Sequence, residues 1–195
     1  MTEALTYVDR PEDQHDGGTW LIRLDDWKGL GTDEQRAGAG TIEIVMEAEG
    51  HEPETPPNEV QLTHVEWLMA NQQGLLDGIL ETALRMYKGA RLDMFEEDED
   101  DEDLPILRTP AEVMPLISPA MIYLNSLDGV ALPYVGVDLN CDWDQEHGLG
   151  MMFHGFELVD VSGTQHLRLH NARSTHDHPW PDGHLPDADG YGEYA

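Results

Sequence analysis

From Tyr134 to Trp143 the chain alternates apolar and polar residues without a break. Val135, Val137, Leu139, Cys141 and Trp143 fall on one side, while Gly136, Asp138, Asn140 and Asp142 fall on the other. A period of two held over that length fits a β-strand with one buried face and one wet face, the habit of antiparallel sheets. The remaining sequence must supply that strand's neighbours and a cover for its apolar side.

The neighbours are readable. Thr19 to Leu24 places Trp20, Ile22 and Leu24 on one side, and Thr41 to Glu47 does the same with Ile42, Ile44 and Met46. These two runs are expected to pair antiparallel as an N-terminal hairpin. Met121 to Leu127 reads as another strand. Met151–Phe153 and Glu157–Val161 flank His154-Gly155 as a hairpin, and Leu167 with Leu169 suggests one more short strand.

The cover comes from residues 59–90. There Val65, Leu68, Gln72, Leu76, Leu80, Ala83 and Tyr87 recur at helical spacing and form one stripe. Thr63 with Glu66 fits a capping box, and Asn58 with Gln61 offers a second. Gly74 and Gly78 each cost about 1 kcal/mol relative to alanine inside a helix, so a kink or a junction of two helices is expected near Gly74. Prolines 105, 110, 115 and 119 leave room for only a short helix between Pro110 and Ile117. The fold class is therefore α+β: an antiparallel sheet with an N-terminal hairpin, packed against one or two helices.

Around that domain, expected at 19–170, the composition changes. Residues 1–18 read as a flexible lead-in. Residues 94–104 carry eight consecutive acids, Glu96 to Asp103, and read as a solvated insert. Residues 171–195 are rich in His, Asp, Gly and Pro without periodicity and read as an unstructured tail.

Charge bounds the partners. Forty acidic residues face ten basic ones, for a net charge of −30. Nucleic-acid binding needs Lys and Arg against phosphate and is disfavoured, as is docking on an anionic membrane. No apolar run reaches the roughly 18 residues of a bilayer span, and the N-terminus lacks a signal-peptide pattern, so a cytoplasmic location is expected. The acidity fits either a salty host cytoplasm or a surface complementary to a basic protein. The single cysteine, Cys141, excludes an internal disulfide. Its apolar strand position predicts an inert buried thiol.

The most distinctive stretch is Cys141 to Gly150, CDWDQEHGLG. With its Cys-x-Trp-Asp-x-Glu-His-Gly-Leu-Gly pattern it resembles the signature of an uncharacterised bacterial domain family. The similarity extends over roughly 19–170, through the hairpin, Gln61 and the Asn71-Gln72 pair. Some members of that family are immunity-protein-like by their genomic company. The resemblance implies no activity, and the acidic insert and His-rich tail depart from the pattern.

Glu146 and His147 are adjacent, so they lack the His-Glu-x-x-His spacing that puts two imidazoles on one zinc. A structural role, with Glu146 accepting loop amides and Gly148 turning the chain, stands beside a binding role for Asp144, Glu146, His147 and Gly148. Asp138, Asn140, Asp142 and Asp144 suggest a calcium loop, yet Trp143 and Leu149 occupy the positions where that loop needs glycine and glutamate. His176, His178 and His184 are weak metal candidates that would bind adventitiously.

No cofactor is called for. The reading favoured is an acidic, non-enzymatic binding protein, immunity- or antitoxin-like, that occludes a basic protein. Two alternatives stand beside it: a metal-dependent hydrolase using Asp142, Asp144, Glu146 and His147, and a salt-adapted housekeeping protein.

Overall fold

The structure is a computed structural model that describes residues 4–8, 19–31, 40–51, 56–94, 104–163 and 166–178. Among the described residues, seven strands form one sheet in sequence order: β1 (Leu5–Val8), β2 (Thr19–Arg23), β3 (Thr41–Ala48), β4 (Ile117–Ser126), β5 (Tyr134–Cys141), β6 (Asp144–His154) and β7 (Glu157–Ser162). The fold is α+β, as the sequence predicts. All neighbours run antiparallel except β3 and β4, which pair in parallel from Glu43↔Met121 to Ala48↔Ser126. A parallel pair cannot be closed by a tight turn and needs a crossover. Here the crossover carries α1 (Glu59–Ala70), α2 (Gln72–Met94) and α3 (Pro110–Val113).

The helices cover the face formed by Ile22, Ile44, Met46, Ile122, Leu124, Val135, Val137, Met151 and Phe153, all buried. Every residue of the predicted helical stripe, from Val65 to Tyr87, is buried as well. The helices meet at Asn71, three residues before Gly74. The capping box is Asn58 with Gln61, since Asn58 Oδ1 accepts the Gln61 amide and Gln61 Oε1 the Asn58 amide, each at 2.9 Å. Thr63, the first choice from sequence, lies inside α1, where its hydroxyl donates to the Glu59 carbonyl.

Gly74 and Gly78 sit in α2 because aromatic rings lean on them. A Cβ at Gly78 would come 3.1 Å from Phe153, and one at Gly74 would come 2.5 Å from Phe156. The β6–β7 hairpin thus seats its two phenylalanines in the notch these glycines leave, and Phe156 also tilts against Trp67 with centroids 5.4 Å apart.

Three expectations are corrected. The lead-in is not wholly irregular, since Leu5–Val8 pairs with β2 and buries Leu5 beneath the sheet edge. No strand forms at 167–169. Leu167 packs in a second apolar cluster, and Leu169–Asp177 is a helix, α4, which takes the first residues of the expected tail because Glu47 and Glu49 hold its N-terminal end and its arginine. The polar side of β5 is only partly wet: Gly136 is buried because Leu167 lies on it, at 2.8 Å from a notional Cβ. The eight-acid run and residues 179–195 lie outside the described residues.

Gly78→Ala gains helix propensity of about 1 kcal/mol but presses on a buried ring, where overpacking costs about 1–3 kcal/mol. Urea unfolding should show it destabilised, whereas Gly74→Ala, facing the half-exposed Phe156, should sit near or above the parent.

Candidate functional site

β5 turns back earlier than the alternation implies. The strand ends at Cys141, Asp142 and Trp143 make the turn, and Cys141 pairs with Asp144 after an irregularity at Leu139. Trp143 is therefore not a wholly buried strand residue. It is half-buried over the end of α2, edge-on to Tyr87 at 5.4 Å. Gly148 is required at φ +66°, because a Cβ there would stand 2.7 Å from the Leu139 carbonyl oxygen.

Of the four predicted site residues, the structure joins two. Asp144 Oδ1 accepts the His147 amide at 3.1 Å and lies 2.9 Å from His147 Nδ1. The loop-amide acceptor is thus Asp144, in place of Glu146, which is exposed beside His147 at the hairpin end. The His147 side chain is 73% exposed. Such a solvent-exposed contact is worth little as a stabiliser and is open to another molecule. Asp138 and Asn140 project from the sheet face opposite the helices, and burial pushes the Asp138 carboxyl up. Among the described residues, no three His, Cys, Asp or Glu gather as a metal site.

Cys141 is buried, and its thiol is 3.4 Å from the Asp144 carbonyl. Desolvation pushes its pKa up to about 11. The histidines predicted in the tail are separated: His176 Nδ1 lies 2.9 Å from the Tyr134 hydroxyl, His178 caps α4 through its backbone, and His184 lies outside the described residues.

Two features escaped the sequence reading. One is His64, buried under α1 with Nδ1 2.7 Å from Ser126 Oγ. A Ser–His contact suggests nucleophilic chemistry, but both residues are sealed in the core, and the pair serves as polar packing between α1 and β4. The other is a polar row on the face away from α1 and α2. Glu47, Asn125, Tyr134, His154 and Glu157 are cross-strand neighbours from β3 to β7. Tyr134 and His154 stack at 4.4 Å and 8°. The row next to it, Met46, Leu124, Val135, Phe153 and Leu158, points to the helices and is apolar throughout. The strand alternation carried this signal, since Tyr134 and Asp138 share a parity, but the distant Glu47 and His154 could be aligned only through the register.

An open groove of about 390 Å³ runs between α2 and the β6–β7 hairpin, with Glu81 and Arg85 facing Phe153 and Phe156. No helix among the described residues is long and apolar enough to cross a membrane.

Residues 22–167 match the family described as domain of unknown function DUF6985, and the chain belongs to that family. The match runs from the end of β2 through β7, takes in the crossover helices, and ends before α4. No curated protein and no solved structure matches the chain.

Two measurements check this chemistry. The Cys141 thiol should react with a maleimide at about pH 8 only as fast as the protein unfolds, because it is buried and protonated there. Burial also holds the imidazoles of His64 and His154 below their ordinary value of 6.5. The unfolded chain therefore binds these protons first, so the stability from the neutral rings is complete above pH 6.5 and falls as pH drops through their folded values. In His64→Gln the slope of stability against pH below 6.5 should be shallower than in the parent.

Proposed function

We propose that this DUF6985-family chain is an acidic, non-enzymatic binding protein that meets a cationic protein, in the manner of an immunity or antitoxin-like protein. The observation that carries the reading is charge: forty acids against ten bases, with Asp142, Glu146 and the Asp144–His147 pair displayed on a rigid hairpin end. Loops held by a sheet are where binding residues concentrate, and complementary fields raise the rate of encounter. The hairpin end, Asp144 to Gly148, is the contact surface in this reading. The metal-dependent hydrolase reading is less well supported, because Asp144 is engaged by the amide and ring of His147 and its companions point into solvent.

Affinity capture on the immobilised chain, at low and at physiological salt, should retain a basic protein. Its on-rate should fall at least about tenfold between those conditions, since steering acts over a Debye length of about 8 Å at physiological salt. Neutralising Glu96 to Asp103 with Gln and Asn should lower the on-rate and leave the off-rate unchanged. Asp144→Asn with Glu146→Gln should raise the off-rate. Retention of nothing basic, or folding that itself requires molar salt, would assign the charge to salt adaptation and end this reading.

A further inference from the structure

The face of the sheet away from α1 and α2 is covered over the polar row by α4 and Leu167. α4 has nine residues, a length that is marginal for an isolated helix, and it buries only Ala172. Its N-cap residue, Arg168, makes no capping hydrogen bond with its own side chain. Instead Glu47 Oε2 accepts the Leu169 amide at 2.7 Å, and Glu47 pairs with Arg168 at 3.3 Å. Arg173 forks onto both carboxylate oxygens of Glu49, and His176 meets the Tyr134 hydroxyl. The cover is held by charge and a few polar contacts, over a small apolar patch that includes Leu127 and Met152.

That cover leaves the face unsatisfied. Among the described residues, Asn125 Oδ1 and His154 Nε2 are buried and find no hydrogen-bond partner. Native interiors hold few such atoms, and an occupant that supplied a donor to the Asn125 oxygen would fit the face better than α4 does. The face and Leu167 belong to the domain matched by the family, whereas α4 lies beyond the match. In a chain with only ten Lys and Arg, two of them are spent here on Glu47 and Glu49.

We propose that the sheet face beneath α4, centred on Glu47, Glu49, Asn125, Tyr134 and His154, is a docking surface for a basic amphipathic helix of the cationic partner, and that α4 is the internal occupant this helix displaces. The inference rests on the reading of the chain as a binder of a cationic protein and names a second surface for it. The hairpin end and this face lie at opposite ends of β5 and β6, so one partner spanning both would make close contacts at each.

The test uses the full chain and two synthetic peptides: residues 166–178, and a Lys/Arg-rich amphipathic helix of equal length with its scrambled control. The parent should bind the 166–178 peptide weakly, because α4 competes from within the chain at high effective concentration. The Arg173→Glu chain should bind it at least about tenfold more tightly, with affinity falling as salt rises, and Glu49→Gln in that background should abolish the gain. Should Arg173→Glu fail to fold, Arg173→Gln is measured in its place and a smaller gain of the same sign is expected. The basic helix should compete with the 166–178 peptide and the scrambled one should not. Equal weak binding to parent and variant, or a basic helix that does not compete, overturns the proposal. So does hydrogen exchange in which the α4 amides of the parent open only with the whole sheet. Failure of the peptides while a basic protein is still captured through the hairpin end removes this inference alone. Failure of that capture with the peptides still binding removes the partner reading instead.

Discussion

One pairing organises the molecule. Every strand but one reaches its neighbour by reversing direction, whereas β4 lies parallel to β3. That single parallel contact obliges the chain to leave the sheet at one end and re-enter it at the other, and the return path is where both long helices sit. Because the crossover lies on one side, only that side receives a thick apolar cover. The strands answer in their parity: Met46, Leu124, Val135 and Phe153 point to the helices, and their sequence neighbours Glu47, Asn125, Tyr134 and His154 point away. A single-residue slip in register would exchange the two rows and bury the carboxylates against α2.

The crossover also explains residues that look like faults in isolation. Glycine weakens a helix, yet Gly74 and Gly78 let α2 approach the β6–β7 hairpin closely enough for Phe153 to fill the space beneath it. Gln61 and His64 are polar residues in a buried helix face, and both are satisfied by the strands below: Gln61 donates to the Met46 carbonyl, and His64 meets Ser126. Such fixed polar contacts orient α1 on β3 and β4 in a way that apolar contacts alone would not.

Much of this was legible in the sequence. The alternation in β2, β3 and β5, the helical stripe from Val65 to Tyr87 and the turn at Gly155 each depend on local periodicity, and each is present in the structure. The parallel pairing was not legible, because nothing local in β3 or β4 encodes the direction of a partner many residues away. The choice between Thr63 and Asn58 as cap depended on where the apolar stripe meets the sheet, and Gln61, the residue that decides it, reads as polar. α4 was missed for a related reason. Its nine residues include only two apolar ones, Leu169 and Ala172, and what holds it is the chemistry of Glu47 and Glu49, far away in the sequence. At the hairpin end the loop-amide acceptor expected at Glu146 is Asp144, since the early turn after Cys141 shifts which carboxylate faces the loop amides.

The distribution of charge follows from the same asymmetry. A carboxylate on the helix-covered face would be stripped of water without compensation, so Glu43 and Glu47 of β3 occupy the opposite parity, as do Asp138 and Asp160 of β5 and β7. Acids gathered on one side of a sheet repel each other, and burial alone already pushes the Asp138 and Asp160 carboxyls up. At the end of the face nearest Tyr134 the repulsion is relieved by Arg168 and Arg173. At the other end, toward the β5–β6 turn, Asp142 and Glu146 are exposed to water. Of the acids on the sheet, those at the Tyr134 end are thus answered by arginines of the same chain. In the reading proposed above, a cationic molecule meets the exposed acids of the turn directly and reaches the other end by replacing Arg168 and Arg173.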